Sequence, residues 1–183
     1  DILDQQLGEV RYLRANAYFL LVQTYGGVPL VTDYFREPVL EFSRESAEDI
    51  YSFIISELEA AVNQVSSGAY QGKVNERAVN HLLAKVYLTR GYESFGSTAD
   101  FTTAASYAEA AIAGQGLNLS FEELWAPGNP TYPINEETLF SVQYDPASVS
   151  TDPFNLGHQQ TAYFGPYQGG SEVAGDAPYR TYT

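Results

Sequence analysis

The chain has 183 residues, 44% of them hydrophobic, a formal net charge of −14 and no cysteine. The charge argues against binding a phosphate backbone or an anionic membrane surface, and the missing cysteine removes disulfides, thiol catalysis and Cys-ligated metal. Neither a basic-then-apolar leader nor a run of about 18 apolar residues occurs in it. Methionine is absent and the sequence opens at Asp1, the pattern of a mature, trimmed or partial chain. Charge is also uneven: Arg180 is the only basic residue beyond Arg90, whereas acidic residues continue from Glu93 to Asp176. Tyrosine dominates the aromatics, with 15 Tyr beside 10 Phe and a single Trp125. An apolar ring with a polar tip suits a wet binding surface, and it equally suits a helix bundle that fills gaps with large side chains.

Up to about Ala113 the pattern is helical. A first helix is predicted from near Leu3 to Tyr25, with Leu3, Leu7, Val10, Ala17, Leu21 and Thr24 on one stripe that Arg14 interrupts. The string TYGGVPLV, residues 24–31, ends it: Gly26 suits a left-handed cap, Gly27 adds freedom and Pro29 prevents resumption. Ser46 is the predicted cap of a second helix, with Asp49 reaching back and Ile50, Ile54, Leu58, Ala61, Val62 and Val65 inward. Asn75 is placed as the cap of a third, carrying Ala78, Val79, Leu82, Leu83 and Val86 and stopping near Gly91. Asp100 is placed as the cap of a fourth, with Ala104, Ala105, Ala108, Ala111 and Ile112 inward and Gly114 behind. Alanine-rich faces allow the close approach that stacked helix pairs require. RANAYFLL at Arg14 and RAVNHLLA at Arg77 look alike, but they lie further apart than the roughly 34-residue period of a tetratricopeptide array. Degenerate pairs with insertions are the better description.

Beyond Gly116 the texture changes. Seven of the nine prolines lie at or after Pro127, so this part is not continuously helical. ETLFSVQYD, residues 137–145, alternates like a strand with Phe140, Val142 and Tyr144 on one face, and from Pro146 onward the composition is that of surface loop. The expected organisation is a helical-pair scaffold over 1–116 and a loop-rich segment over 117–183 with a strand near 138–144, both within one larger domain.

Taken in order, RYLRANAYFLLVQTYGGVPLV, IISELEAAV, AVNHLLAKVYLTRGY and EETLFSVQY resemble the SusD/RagB family of outer-membrane nutrient-binding lipoproteins. Arg11, Arg14, Ala15, Tyr18, Phe19, Tyr25, Gly26, Gly27, Val28 and Pro29 match its pattern, and the resemblance covers roughly residues 5–145. Glu57 stands where the family usually has Asp, and family members are much longer. The resemblance implies a mainly α fold of tetratricopeptide-like helix pairs, with irregular loops and a short strand in the C-terminal third. It implies a lipid-anchored cell-surface protein of Gram-negative bacteria that captures glycans or similar nutrients. Such a protein acts as a lid on a SusC-like TonB-dependent transporter, as a binder and not an enzyme. The matching residues are scaffold, so no ligand contact carries over from them.

A sugar ring offers a weakly polar C–H face and a rim of hydroxyls, and flat aromatic rings beside carboxamides or carboxylates meet both. Phe154, Asn155, His158, Gln159, Gln160, Tyr163, Phe164, Tyr167 and Gln168 supply those groups within residues 154–170. The same aromatics would equally serve to anchor the loop to its own core. Trp125 with Tyr132 forms a second candidate, although Trp125 alone fits packing better. His81 and His158 are the only histidines and are far apart, so no metal pair is expected, and His81 reads as structural. Glu122/Glu123 and Glu136/Glu137 are sequence neighbours that point different ways, which makes them poor substitutes for the facing carboxyls of a glycosidase. Asp145, Ser148, Ser150, Asp152 and Asn155 could offer oxygens to calcium but lack the helix-loop-helix calcium pattern. No cofactor or metal is expected. Asn118 begins an NLS sequon, a pattern common by chance. The acidic, aromatic late segment suits a neutral or cationic ligand better than an anionic glycan. Two rival readings stay open: a helix-repeat adaptor with no saccharide affinity, and a helical glycoside hydrolase.

Overall fold

In the computed structural model, residues 2–124 and 137–141 are described, and all of them fall in a first unit, Asp1–Ser141. Five helices occur among them: α1 (Ile2–Tyr25), α2 (Ala47–Val62), α3 (Glu76–Arg90), α4 (Thr98–Ile112) and the single turn α5 (Phe121–Leu124). The order of packing follows the order of the chain. α1 lies on α2, α2 joins α3, and α3 lies on α4. The result is two successive helix pairs, as the periodicity predicts.

Each start is chemically marked. Ser46 Oγ accepts the Asp49 N–H at 3.1 Å and donates to the Asp49 carboxylate at 2.6 Å, which fixes the first turn of α2. Asn75 Oδ1 accepts the Ala78 N–H at 2.9 Å and opens α3. At α4 the structure corrects the expected cap. The helix begins three residues earlier, with Ser97 as N-cap, and Asp100 acts from the first turn by accepting the Ser97 N–H at 2.9 Å.

The core is made by the inner faces of α1, α2 and α3. Phe19, Ile50, Ile54, Leu58, Val79, Leu83 and Val86 are almost wholly removed from water, each worth about 1.5–3 kcal/mol of apolar burial. Phe19 meets the Tyr51 ring edge-on at 6.3 Å, and Tyr51 lies 5.7 Å from Phe95. The expected inward residues of α2 and α3 lie in the core, with Val62 and Val65 packed against it, and Tyr51, Ile55 and Tyr87 join them.

α1 is different. Its buried residues are Gly8, Tyr12, Ala15, Phe19 and Val22, whereas the predicted stripe of Leu3, Leu7, Val10, Ala17, Leu21 and Thr24 faces outward. Both sides of the helix carry apolar residues at helical spacing, so periodicity alone cannot choose between them. The structure takes the side that mixes aromatic rings with Gly and Ala.

α4 is corrected too. Asp100, Ala104 and Ala111 are buried, but Ala105, Ala108 and Ile112 are exposed, because among the described helices α4 packs against α3, reaches α2 only through Tyr107, and buries a narrow strip. Two α3 arginines grip its ends. Arg77 Nε donates to the Ala111 carbonyl at 2.9 Å, and the Arg90 guanidinium pairs with Asp100. Between them Tyr87 stacks on Tyr107 at 5.6 Å, and both hydroxyls donate to Glu59 Oε1, at 3.2 and 3.4 Å. Burial and the Glu59 carboxylate push the Tyr87 hydroxyl up to about 12.

Residues 137–141 form turn and irregular backbone, and the rest of the expected strand lies outside the described residues. This short segment docks on the helices. Phe140 meets the Tyr12 ring edge-on at 5.2 Å, and the buried Tyr70 hydroxyl donates to the Ser141 carbonyl at 2.8 Å.

Candidate functional site

The residues selected from the sequence for ligand contact, Trp125, Phe154, Asn155, His158, Gln159, Tyr163, Phe164 and Tyr167, all lie outside the described residues. So do the oxygens considered for calcium, from Asp145 to Asn155. Among the described residues, aromatic groups are instead gathered in the connection from α1 to α2, which the sequence reading passed over.

That connection is a loop with a rigid neck. Gly26 closes α1 at φ +69°, its N–H donating to the Val22 carbonyl at 2.9 Å. Gly27 then passes directly beside the returning strand of the loop. A Cβ placed on Gly27 would sit 2.2 Å from the Glu45 carbonyl oxygen, and Glu45 N–H donates to the Val28 carbonyl at 3.1 Å. Val28 is buried below. Two turns back on α1, the Tyr18 hydroxyl accepts the Val31 N–H at 2.8 Å and donates to the Val31 carbonyl at 3.2 Å. Tyr18 itself rests edge-on against Phe53 of α2. The string GGVPLV is thus a helix stop and a loop clamp together, and Ser46 begins α2 as soon as the neck closes.

Above the neck, residues 32–45 are all exposed. Tyr34 is 88% and Leu40 91% accessible, while Phe35 and Phe42 hold each other edge-on at 5.8 Å. Asp33, Arg36, Glu37, Glu41 and Arg44 are interleaved with them. Loops that leave and return to nearly the same point, packed by their own side chains, commonly carry function. Here flat apolar rings stand beside donors and acceptors of both charge signs, which is what the faces and rim of a sugar require. The available sequence signal was YF and EF bracketing a proline, in a stretch without helical or strand period.

Other chemistry singled out in the sequence is committed to structure. Glu123 accepts the Ser120 N–H at 2.9 Å and the Ser120 hydroxyl at 2.7 Å, which holds its carboxyl below the usual range. Glu137 accepts the Leu119 N–H at 2.8 Å. The buried Glu57 carboxylate is shared by Arg14, whose Nε donates at 2.9 Å, and by Arg11 at 3.5 Å. Arg14 therefore interrupts the apolar stripe in order to tie α1 to α2. His81 is exposed on α3, and no group of three or more metal-ligating side chains occurs among the described residues. No helix among them is long and apolar enough to cross a membrane.

Comparison with known proteins adds to this geometry. Residues 1–88 match the SusD-like family described as starch-binding and associating with the outer membrane. A SusD-like protein of Bacteroides ovatus is 34% identical over 148 residues, which is 76% of this chain and 26% of that protein. A crystal structure with xylogluco-oligosaccharide is similar with a TM-score of 0.66 at 30% identity, over 78% of this chain and 30% of that one. A laminarin binding SusD-like protein gives a TM-score of 0.65 at 26% identity, over 78% and 31% respectively. The chain spans about a quarter of the length of the curated relative.

Proposed function

The chain belongs to the SusD-like family, and from that premise we propose that its protein captures oligosaccharide at the outer surface of the outer membrane and delivers it to a SusC-like TonB-dependent transporter. In this reading a lipid anchor outside these residues holds it at the membrane. The helix pairs form the scaffold. Saccharide is held by the aromatic rings of Tyr34, Phe35 and Phe42 above the α1–α2 neck; Trp125 and residues 154–167, outside the described residues, are separate candidates from their composition.

The observation that carries the proposal is the exposed ring cluster of residues 34–42 on a clamped neck. Aromatic rings left in water on a rigid base are poor for stability and good for a C–H face. The solved relative with xylogluco-oligosaccharide and the laminarin binding relative support a saccharide as the ligand class. The protein acts as a binder without turnover: the Glu123 and Glu137 carboxylates are spent on backbone N–H groups, whereas glycoside hydrolysis needs two free carboxyls facing a scissile bond.

Titration of the full-length gene product with xylogluco- and laminari-oligosaccharides, followed by heat and by Trp emission, tests this. Saturable heat with no released reducing ends is expected. Released ends would establish a hydrolase instead, and silence across a broad saccharide panel would favour a protein-binding adaptor.

A further inference from the structure

The turn between α3 and α4, residues 91–97, is short and closed on itself. Glu93 N–H donates to the Arg90 carbonyl and Gly96 N–H to the Glu93 carbonyl, both at 2.9 Å. A side chain on Gly96 would collide with the Arg90 carbonyl oxygen, and one on Gly91 would meet the Phe101 ring. The Arg90–Asp100 pair shuts the base of the turn, and Phe95 packs against the core 5.7 Å from Tyr51. On this base Tyr92 stands 80% exposed, braced edge-on by Phe101 at 5.0 Å, with Glu93 and Ser94 exposed beside it. The turn leaves the helices at the same end as the α1–α2 loop. Tyr51, near the start of α2, meets Phe19 of α1 and Phe95 of the turn, and its hydroxyl donates to Thr89 Oγ1 near the end of α3 at 3.4 Å. One to two helix spacings, about 10–20 Å, therefore separate the two exits.

We infer that Tyr92 is a second sugar-stacking ring, engaging a saccharide held at Tyr34, Phe35 and Phe42 several units further along the same sugar chain. The inference rests on the saccharide-binding reading and adds to it a preference for extended oligomers. The occupant follows from the spacing. A protein interface gathers its aromatic anchors in one dry, contiguous core, whereas here two ring groups are set apart among exposed Arg44, Glu45, Glu93 and Ser94. Repeating C–H faces separated by hydroxyls match that pattern. Once the first ring group holds the chain, the second contact forms within one complex, so a weak stack adds affinity out of proportion to its own strength.

The test is calorimetric titration of the full-length gene product with a disaccharide and a hexasaccharide of the laminari, cello and malto series, wild type selecting the series. Tyr92→Ala is expected to raise the hexasaccharide Kd about three- to tenfold and to leave the disaccharide Kd within about twofold of wild type. Tyr92→Phe, which keeps the ring, recovers most of the loss. An unchanged Tm, as expected at an open surface position, separates that loss from one of folding. Unchanged hexasaccharide affinity in Tyr92→Ala, beside normal binding by wild type, would overturn the inference while the saccharide-binding reading stands. Equal losses for both lengths would also overturn it, because Tyr92 would then belong to a single compact site. Wild type silent toward every series and length removes the reading and the inference together.

Discussion

Gly27 and Glu45 are in backbone contact: the Glu45 carbonyl oxygen occupies the space where a side chain on Gly27 would begin, 2.2 Å from the Cβ position. The loop of exposed rings is thus closed by main chain on main chain, and neither partner can give way as a flexible side chain would. Gly27→Ala is expected to cost about 1–3 kcal/mol, the range for overpacking a tight site. Arg36 and Arg44 lie in the loop and provide trypsin sites. Faster cleavage there, beside a lowered Tm, is the expected signature. Unchanged cleavage and Tm would mean that the neck is not a clamp.

The buried carboxylate of Glu57 ties the first helix pair. Arg14 Nε and Arg11 Nη1 both reach it from α1, and it sits among apolar neighbours at 7% exposure. Glu57→Gln keeps the shape but removes the charge that two guanidinium groups share. Hydrogen bonds to charged groups contribute about 1.5–3 kcal/mol, so a loss of about 2 kcal/mol in urea unfolding is expected. Since both arginines are only partly buried, they can turn to water, which keeps the cost below that of a fully enclosed pair. Pairing Glu57→Gln with Arg14→Gln in a double-mutant cycle should give less than the sum of the two losses.

Stability should fall with acid through Asp100. The Arg90 guanidinium, aided by the Ser97 N–H, holds the Asp100 carboxyl below its ordinary value. A group whose folded pKa is depressed contributes stability above its unfolded pKa, near 4, and loses that contribution as the pH drops through the folded value. Asp100→Asn is therefore expected to lower Tm at pH 7 by a few degrees, at about 2–4 °C per kcal/mol for a chain of this size. The gap between wild type and variant should narrow below about pH 4. A gap equally wide at pH 3 and pH 7 would show that shape, and not charge, holds this junction.

Much of the fold was legible in residues with local signals. Ser46 and Asn75 cap helices because a short polar side chain can reach an N–H three residues on, and that requirement is written in the sequence. The inner faces of α2 and α3 were legible for a similar reason, since each has one apolar stripe. α1 was not, because Leu, Val and Ala on one side compete with Tyr12, Ala15, Phe19 and Val22 on the other, and the choice is made by what stands next to the helix. The same limit applies to α4, whose narrow buried strip depends on packing chiefly against α3. The loop rings were missed because an irregular stretch has no period to detect. Their position is set by Gly27 meeting Glu45 across the neck, a contact between residues distant in sequence.

Tyr34 offers the sharpest separation of binding from folding. At 88% exposure its ring touches little of the scaffold, so Tyr34→Ala should change stability by no more than about 0.5 kcal/mol, as at other open surface positions. If the ring stacks on a sugar face, its loss removes about 0.5–1.5 kcal/mol beyond the buried area, and a Kd raised about tenfold is expected for the full-length protein with its best oligosaccharide. Phe35→Ala and Phe42→Ala should each weaken binding as well. Their double variant should lose less than the sum, because the two rings support each other at 5.8 Å. Tyr163→Ala and Tyr167→Ala provide the contrast within the late segment. If these abolish saccharide binding while Tyr34→Ala, Phe35→Ala and Phe42→Ala leave every Kd unchanged, the loop above the neck is not a sugar platform and the ligand belongs to the late segment alone.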